Sequence, residues 1–311
     1  MTGRLGFLIR AAVSELTSGL EKHAGAVSIS DLIALTKPRI TAVVLSTTAG
    51  GVWLAPVHIT RLAFAMTMLG SLLIVSGANA LNMYMERDID GKMDRTKNRP
   101  LPAGRMSPRT ALVFGVTISV LSVPILAIGV NAVTALLAVL ANVSYVLAYT
   151  PMKQRSHTAL LVGAVPGAIP PLMGWTAATG RVDWGGIALF VILFIWQVPH
   201  FLAIALFRKA DYARAGLFVM PNVFGDEATK RVIVRYTFAL VVSTLIVFPL
   251  GIAGRGYLVT AFLLGSIFFG WACMGFRQEA GRKWAQSFFA ASIVYLVVLF
   301  SALMIDSTPL V

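Results

Sequence analysis

Charge and cysteine are what this 311-residue chain has least of. Asp, Glu, Lys and Arg together make up 13% of the residues, against roughly 25% in soluble domains. So thin a charged shell excludes an ordinary water-soluble exterior and points to lipid as the solvent. The lone cysteine, Cys273, excludes an internal disulfide and, inside an apolar run, reads as a core thiol. Histidines number four, and His23, His58 and His157 form no metal-ligand spacing with His200. Acids number thirteen, half the basic count, which leaves a formal net charge of +13. Such an excess suits nucleic acid or a membrane surface, and its distribution decides between them.

What fills the chain instead is apolar: 57% of the residues, with a mean hydropathy of +0.80. Charge-free or nearly charge-free stretches run over residues 40–56, 62–82, 110–129, 132–149, 158–176, 186–206, 236–252, 256–275 and 285–305. A helix needs about 20 residues to cross the hydrocarbon, with about 17 as the lower limit. The expectation is therefore an all-α, polytopic membrane protein with nine transmembrane helices around a central cavity opening to the cytoplasmic side. Only Val130 and Asn131 divide the third and fourth stretches, so a tight hairpin is expected there. With the N-terminus inside, every Lys and Arg except Arg61, Arg181 and Arg255 falls on the cytoplasmic side. The net charge is thus a topology signal, and no nucleic-acid partner is expected. Nine spans put the C-terminus on the opposite side.

Residues 1–39 lack a long apolar core and a small-residue cleavage site, so they do not read as a secretory signal. Residues 1–35 are expected to form a cytoplasmic tail, with 5–20 either disordered or an amphipathic helix on the membrane surface. The transmembrane domain is expected to occupy 36–306.

Polar residues that a membrane would penalise carry the chemistry. Four of the thirteen acids, Glu86, Asp88, Asp90 and Asp94, fall within nine residues where the second span ends. If that helix continues, Asn82, Glu86 and Asp90 recur every four residues on one face. Like charges so placed need a cation, and carboxylate and amide oxygens suit Mg²⁺, which takes one or two carboxylates plus substrate phosphate oxygens. Arg95, Lys97, Arg99 and Arg105 follow and suit phosphate. The bland alternative is a solvated loop whose charges only fix topology; it accounts for the arginines but poorly for the face of acids.

A second polar loop, Phe207-Arg-Lys209-Ala-Asp211-Tyr212, lies on the same side after the sixth span, so the two loops can face one another. His200, upstream in Trp196-Gln-Val-Pro-His200-Phe, is eleven residues from Asp211, about three helical turns and so roughly the same face. It is either a hydrogen-bonded packing group or a substrate or proton-handling contact. Tyr149 and Lys153 stand where the fourth span leaves the membrane. They suit either a phosphate or an interfacial belt. The run 163–175, with Pro166, Pro170 and Pro171, is either a curved wall beside a bulky substrate or close packing by small residues.

Together these segments resemble the intramembrane UbiA-type prenyltransferase superfamily, whose members include 4-hydroxybenzoate prenyltransferase and chlorophyll synthase. Four segments bring the chain closest to the branch that farnesylates protohaem IX. They are Thr36-Lys-Pro-Arg39; Glu86-Arg-Asp-Ile-Asp90 with Arg95-Thr-Lys-Asn-Arg-Pro-Leu101; residues 167–180 with Pro-Pro-Leu-Met-Gly-Trp175; and Trp196-Gln-Val-Pro-His-Phe201 followed by Asp211-Tyr212. The resemblance covers about residues 30–305. It implies that farnesyl diphosphate alkylates a vinyl group of haem b, that water adds, and that haem O and pyrophosphate result. It places the enzyme in the cell inner (plasma) membrane and implies Mg²⁺ as cofactor. Asn82, Glu86, Asp90 and Asp211 would be the metal and catalytic residues, with Arg95, Arg99, Tyr149, Lys153, His200 and Lys209 binding substrate. A haem A synthase or assembly factors of a haem–copper oxidase would receive the product. Two departures stand out: Glu86 occupies a position usually held by Asp, and Ala215 stands where the second motif would carry an acid. Prenylation of an aromatic quinone precursor is the nearest alternative, since it needs the same diphosphate site. Transport is the alternative of another class; it commonly needs ionisable groups near the bilayer midplane, and the spans hold almost none.

Overall fold

A computed structural model of the chain describes residues 28–277 and 279–307. The 5–20 segment lies outside the described residues. Local chemistry sets where each helix begins. A short α1 (Ile29–Leu35) leads to α2 (Pro38–Leu54), which opens with proline at its first position, where no amide hydrogen is needed. Thr60 caps α3 (Arg61–Met85) by accepting from the Ala63 N–H. Ser107 does the same for α5 (Pro108–Gly129) through the Thr110 N–H. Between them lies the single turn α4 (Arg87–Asp90).

The hairpin expected at Val130 and Asn131 is present: α5 ends at Gly129 and α6 (Ala132–Val143) starts three residues later. Asn131 accepts from the Thr134 N–H and donates to the Thr176 carbonyl, closing the turn at both ends. Beyond Val143 the helix widens into a π-helical stretch, Ser144–Tyr149, and finishes as Thr150–Met152. Then follow α7 (Ala159–Thr179) and α8 (Trp184–Phe207), the short α9 (Lys209–Arg214) and α10 (Met220–Val223), and the long α11 (Gly225–Ile246), α12 (Arg255–Cys273) and α13 (Arg282–Ile305).

The protein is a multi-pass, all-helical membrane protein. Among the described residues seven helices are long and apolar enough to cross a bilayer. Two more occupy the places of the remaining expected spans: α2 is 17 residues long, and α11 is 22 but begins with Asp226, Glu227, Lys230 and Arg231. The expected 236–252 stretch is therefore displaced; its helix starts eleven residues earlier and ends at Ile246, before a turn around Gly251. Residues 225–235 are too charged to read as membrane, yet helical geometry continues through them. On the outer helices, large apolar side chains such as Val120, Leu136, Ile267 and Val297 lie exposed, as a lipid-facing surface requires.

Two helices take the middle. α7 and α8 are the most buried of the seven. One core joins α3, α5, α6 and α7 through Ile74, Leu126, Ala135 and Ile169. A larger one joins α8, α11, α12 and α13 through Leu189, Leu240, Phe268 and Tyr295. Despite its three prolines α7 is continuous. Its small residues allow close backbone approach: a Cβ on Gly174 would strike the Thr48 carbonyl, and one on Gly51 the Pro171 carbonyl. Of the two readings of 163–175, close packing by small residues is what the α2–α7 contact displays.

Candidate functional site

The acidic face assembles through a break rather than a continuous helix. Glu86 ends α3 with φ −95° and ψ 6°, and α4 resumes immediately. The i to i−4 hydrogen bonds survive the break, from the Glu86 N–H to Asn82 O (2.9 Å) and from the Asp90 N–H to Glu86 O (2.8 Å). Asn82, Glu86 and Asp90 consequently remain stacked one turn apart, and all three are buried.

Each of these oxygen donors faces a cation. Lys37 Nζ donates to Asn82 Oδ1 at 2.6 Å, Lys153 Nζ to Glu86 Oε1 at 2.7 Å, and Arg99 Nη1 to Asp90 Oδ2 at 2.6 Å. The other Asp90 oxygen, Oδ1, is buried with no hydrogen-bond partner. Thr150 fixes the Asn82 amide by accepting from its Nδ2 at 3.1 Å while donating to the Tyr145 carbonyl. Thr96 anchors the end of α4 by donating to Asp90 O. Lys153 also lies over the Tyr149 ring, 4.4 Å from its centroid. Burial works against the Lys153 ammonium, but the Tyr149 and Tyr145 oxygens and the Glu86 carboxylate outweigh it and hold it above the ordinary lysine range. Burial pulls Lys37 the other way, helped by Arg99 and Lys153, down to about 7.

The second polar loop meets the first directly. Arg214 bridges Asp94 on the first loop (2.8 Å) and Asp211 on its own. Arg95 lies over the Tyr212 ring at 5.8 Å. Ile89 and Met93 pack on Ala215, with Tyr212 and Leu217 alongside. Asp211 thus sits between Arg208 and Arg214 at the junction. Lys209 does not join this site. Its ammonium pairs with Asp226 at 2.7 Å and lines a different pocket. Opening beside the cation cluster is a partly open pocket of about 110 Å³. Tyr149, Lys153 and Tyr212 give it a polar end, and Leu160, Phe201 and Leu202 continue it as an apolar wall.

His200 lies apart from both loops. The face it was expected to share with Asp211 is lost because the helix breaks at Arg208, with φ −108° and ψ 14°. The ring stacks on Trp196 at 4.4 Å and leans on Phe289 at 4.7 Å, and Nδ1 lies 2.7 Å from Ser292 Oγ. Since Ser292 donates its own proton to the Phe289 carbonyl at 2.6 Å, the His200 Nδ1–H is the donor, and the ring lone pair is on Nε2.

Lys37, Thr150, Tyr145 and Thr96 gained no role from the sequence. Lys37 carried one local signal, the Lys-Pro step. Among the described residues it is the one non-glycine with positive φ (49°), a strained backbone that aims its ammonium at Asn82. The π-helical turn that brings Tyr145 and Tyr149 together left no mark in the residue pattern; such turns recur at functional sites. Among the described residues no three His, Cys, Asp or Glu side chains form a ready-made metal cluster. The oxygen set at α3–α4 is suited to an ion that completes its shell with substrate oxygens.

Residues 43–294 match the UbiA prenyltransferase family. Over 280 residues the chain is 52% identical to the protoheme IX farnesyltransferase of Myxococcus xanthus, covering 90% of this chain and 95% of that one. Its backbone is similar to that of a digeranylgeranylglyceryl phosphate synthase, with TM-score 0.78 and 14% identity over 89% of this chain and 98% of the other. It is also similar to a UbiA homologue from Archaeoglobus fulgidus bound to GPP and Mg²⁺, with TM-score 0.64 and 17% identity over 88% and 99%. On the sequence match and the shared helical bundle alike, the chain belongs to the UbiA prenyltransferase family.

Proposed function

We propose that this protein transfers the farnesyl group of farnesyl diphosphate to a vinyl group of haem b, with addition of water, giving haem O and pyrophosphate. The 52% identity to a protoheme IX farnesyltransferase supports the acceptor. The observation that carries the chemistry is the buried triad of oxygen donors, each paired with a basic side chain, one of which, Lys153, also lines a largely apolar pocket.

In this reading residues 36–306 are the catalytic domain, and Asn82, Glu86 and Asp90 would hold Mg²⁺. The orphaned Asp90 Oδ1 and the carboxylate–amide donor set fit a hard cation. The Archaeoglobus homologue binds GPP and Mg²⁺. When bound, the ion would supply positive charge against the leaving pyrophosphate. Lys153, Arg99 and Arg95 stabilise its oxygens as the allylic C–O bond breaks. Tyr149, beside Lys153, supplies a hydroxyl at the polar end of the pocket. Phe201, Leu202 and Leu160 exclude water from the prenyl chain, whose allylic carbon then bonds to the vinyl group. Water supplies the hydroxyl at the adjacent carbon and loses a proton. Asp211 acts by holding Arg214 against Asp94 and so keeping the two loops closed over the site. His200 stays outside that sequence and is assigned to the haem side, with Nε2 as its acceptor.

The membrane is the cell inner membrane, with the polar loops and N-terminus cytoplasmic and the C-terminus outside, as the distribution of Lys and Arg supports. Haem O would pass to a haem A synthase or to oxidase assembly factors in the same bilayer. The test is pyrophosphate release by purified protein in lipid. Release should need farnesyl diphosphate, haem b and Mg²⁺ together and stop with EDTA. Release driven equally well by 4-hydroxybenzoate in place of haem would sink the acceptor assignment.

A further inference from the structure

A second pocket opens at the same end of the bundle, away from the acidic face. It is a partly open hollow of about 270 Å³ between the end of α8 and the starts of α11 and α13. Three cations line it, Lys209, Lys230 and Arg282, against a single lining carboxylate, Asp226. Lys209 is held by Asp226, and the buried Lys230 by Glu227 at 3.1 Å. Arg282 makes no ion pair with any described residue. Its guanidinium is exposed at the first position of α13, a helix with no acid in its first turn and no side-chain cap. Among the described residues the pocket therefore keeps an excess of positive charge, that of Arg282. Its remaining lining is apolar, from Leu206, Phe207 and Trp284.

An anion that also brings hydrocarbon fits both halves. Phosphate oxygens match the Arg282 guanidinium fork, with the carboxylate-paired Lys209 and Lys230 ammonium groups beside it, and an apolar floor at the rim of a membrane bundle suits the start of an acyl chain. We propose that this pocket binds the phosphate headgroup of an anionic phospholipid, at a site separate from the one that handles diphosphate. A free phosphate shares the headgroup chemistry but leaves the apolar floor unused.

Native mass spectrometry of the full chain, released from bilayers of equal phosphatidylglycerol and phosphatidylcholine, reads the retained lipid. The wild type should keep phosphatidylglycerol in preference to phosphatidylcholine. Arg282→Gln should lower that retention about fivefold, as loss of roughly one basic contact at an anionic surface implies, and Arg282→Glu should abolish it. Arg181→Gln, a change of equal charge at the other end of the bundle, should leave retention unaltered. Because Arg282 is exposed and makes no ion pair with a described residue, both variants are expected to fold, which circular dichroism checks. Equal retention of the two lipids, no effect at Arg282, or an equal loss in Arg181→Gln would each overturn the proposal. So would displacement of the lipid by millimolar phosphate or pyrophosphate, which would assign the pocket to the free anion.

Discussion

Asp90 illustrates how much one residue has to balance. Its carboxylate is almost wholly removed from solvent, paired through one oxygen with Arg99 and left without a partner at the other. A buried charge so incompletely satisfied is costly, and a bound cation relieves it. Asp90→Asn keeps the shape and removes the charge. It should reduce turnover by about 10²–10³-fold, the scale of losing one electrostatic contact to a transition state, while circular dichroism stays that of the wild type. Near-normal turnover would remove Asp90 from the metal site. The acids were legible in the sequence because their four-residue spacing is a local property. Lys37 was not, because its partner Asn82 lies 45 residues away and the αL backbone that aims it is set by the fold. His200 makes the contrast: beyond Trp196 on its own helix, its burial against Phe289 and Ser292 comes from α13, with Ser292 92 residues further on. His200→Ala should destabilise the protein by roughly 1–3 kcal/mol through the lost hydrogen bond yet leave farnesyl diphosphate affinity unchanged. A variant of unaltered thermal stability with weakened diphosphate binding would contradict that placement.

Among the elements, α3 and α8 end alike. Glu86 and Arg208 adopt nearly the same off-helix backbone, each is followed at once by a short helix, and Arg214 at the end of the second pairs with Asp94 in the loop after the first. The sequence hinted at this correspondence only through the position of the two polar loops after even-numbered spans. Continuous helices were the natural expectation, since no glycine or proline marks either break. At Glu86 the break kept the expected face, because the hydrogen bonds on either side of it persist. At Arg208 it separated His200 from Asp211. The α2–α7 contact is the clearest packing constraint on an element. Gly174→Ala should cost roughly 1–3 kcal/mol by pushing α7 off the Thr48 carbonyl. Gly270→Ala, with nothing within 4 Å of the added carbon, should be neutral or slightly stabilising. Thermal unfolding of the two variants in lipid decides it, and equal losses would rule out the close-approach explanation.

At the scale of the whole molecule the apolar runs and the one-sided distribution of Lys and Arg were enough to anticipate a polytopic bundle with both polar loops at one end. The central place of α7 and α8 was not legible, because packing order around a bundle depends on which faces meet rather than on how apolar each run is. An alkaline phosphatase reporter fused after Arg181 should be active, being outside, and one fused after Arg155 inactive. The reverse pattern would invert the topology and put the acidic face on the wrong side for a cytoplasmic substrate.

The most direct measurement follows the haem itself. Purified protein in lipid, given haem b, farnesyl diphosphate and Mg²⁺, should convert the haem to a species heavier by one farnesyl group and one water, read by mass spectrometry, and EDTA should stop the conversion. Haem recovered unmodified from a folded preparation that nonetheless consumes farnesyl diphosphate would contradict the account and leave a prenyltransferase with a different acceptor.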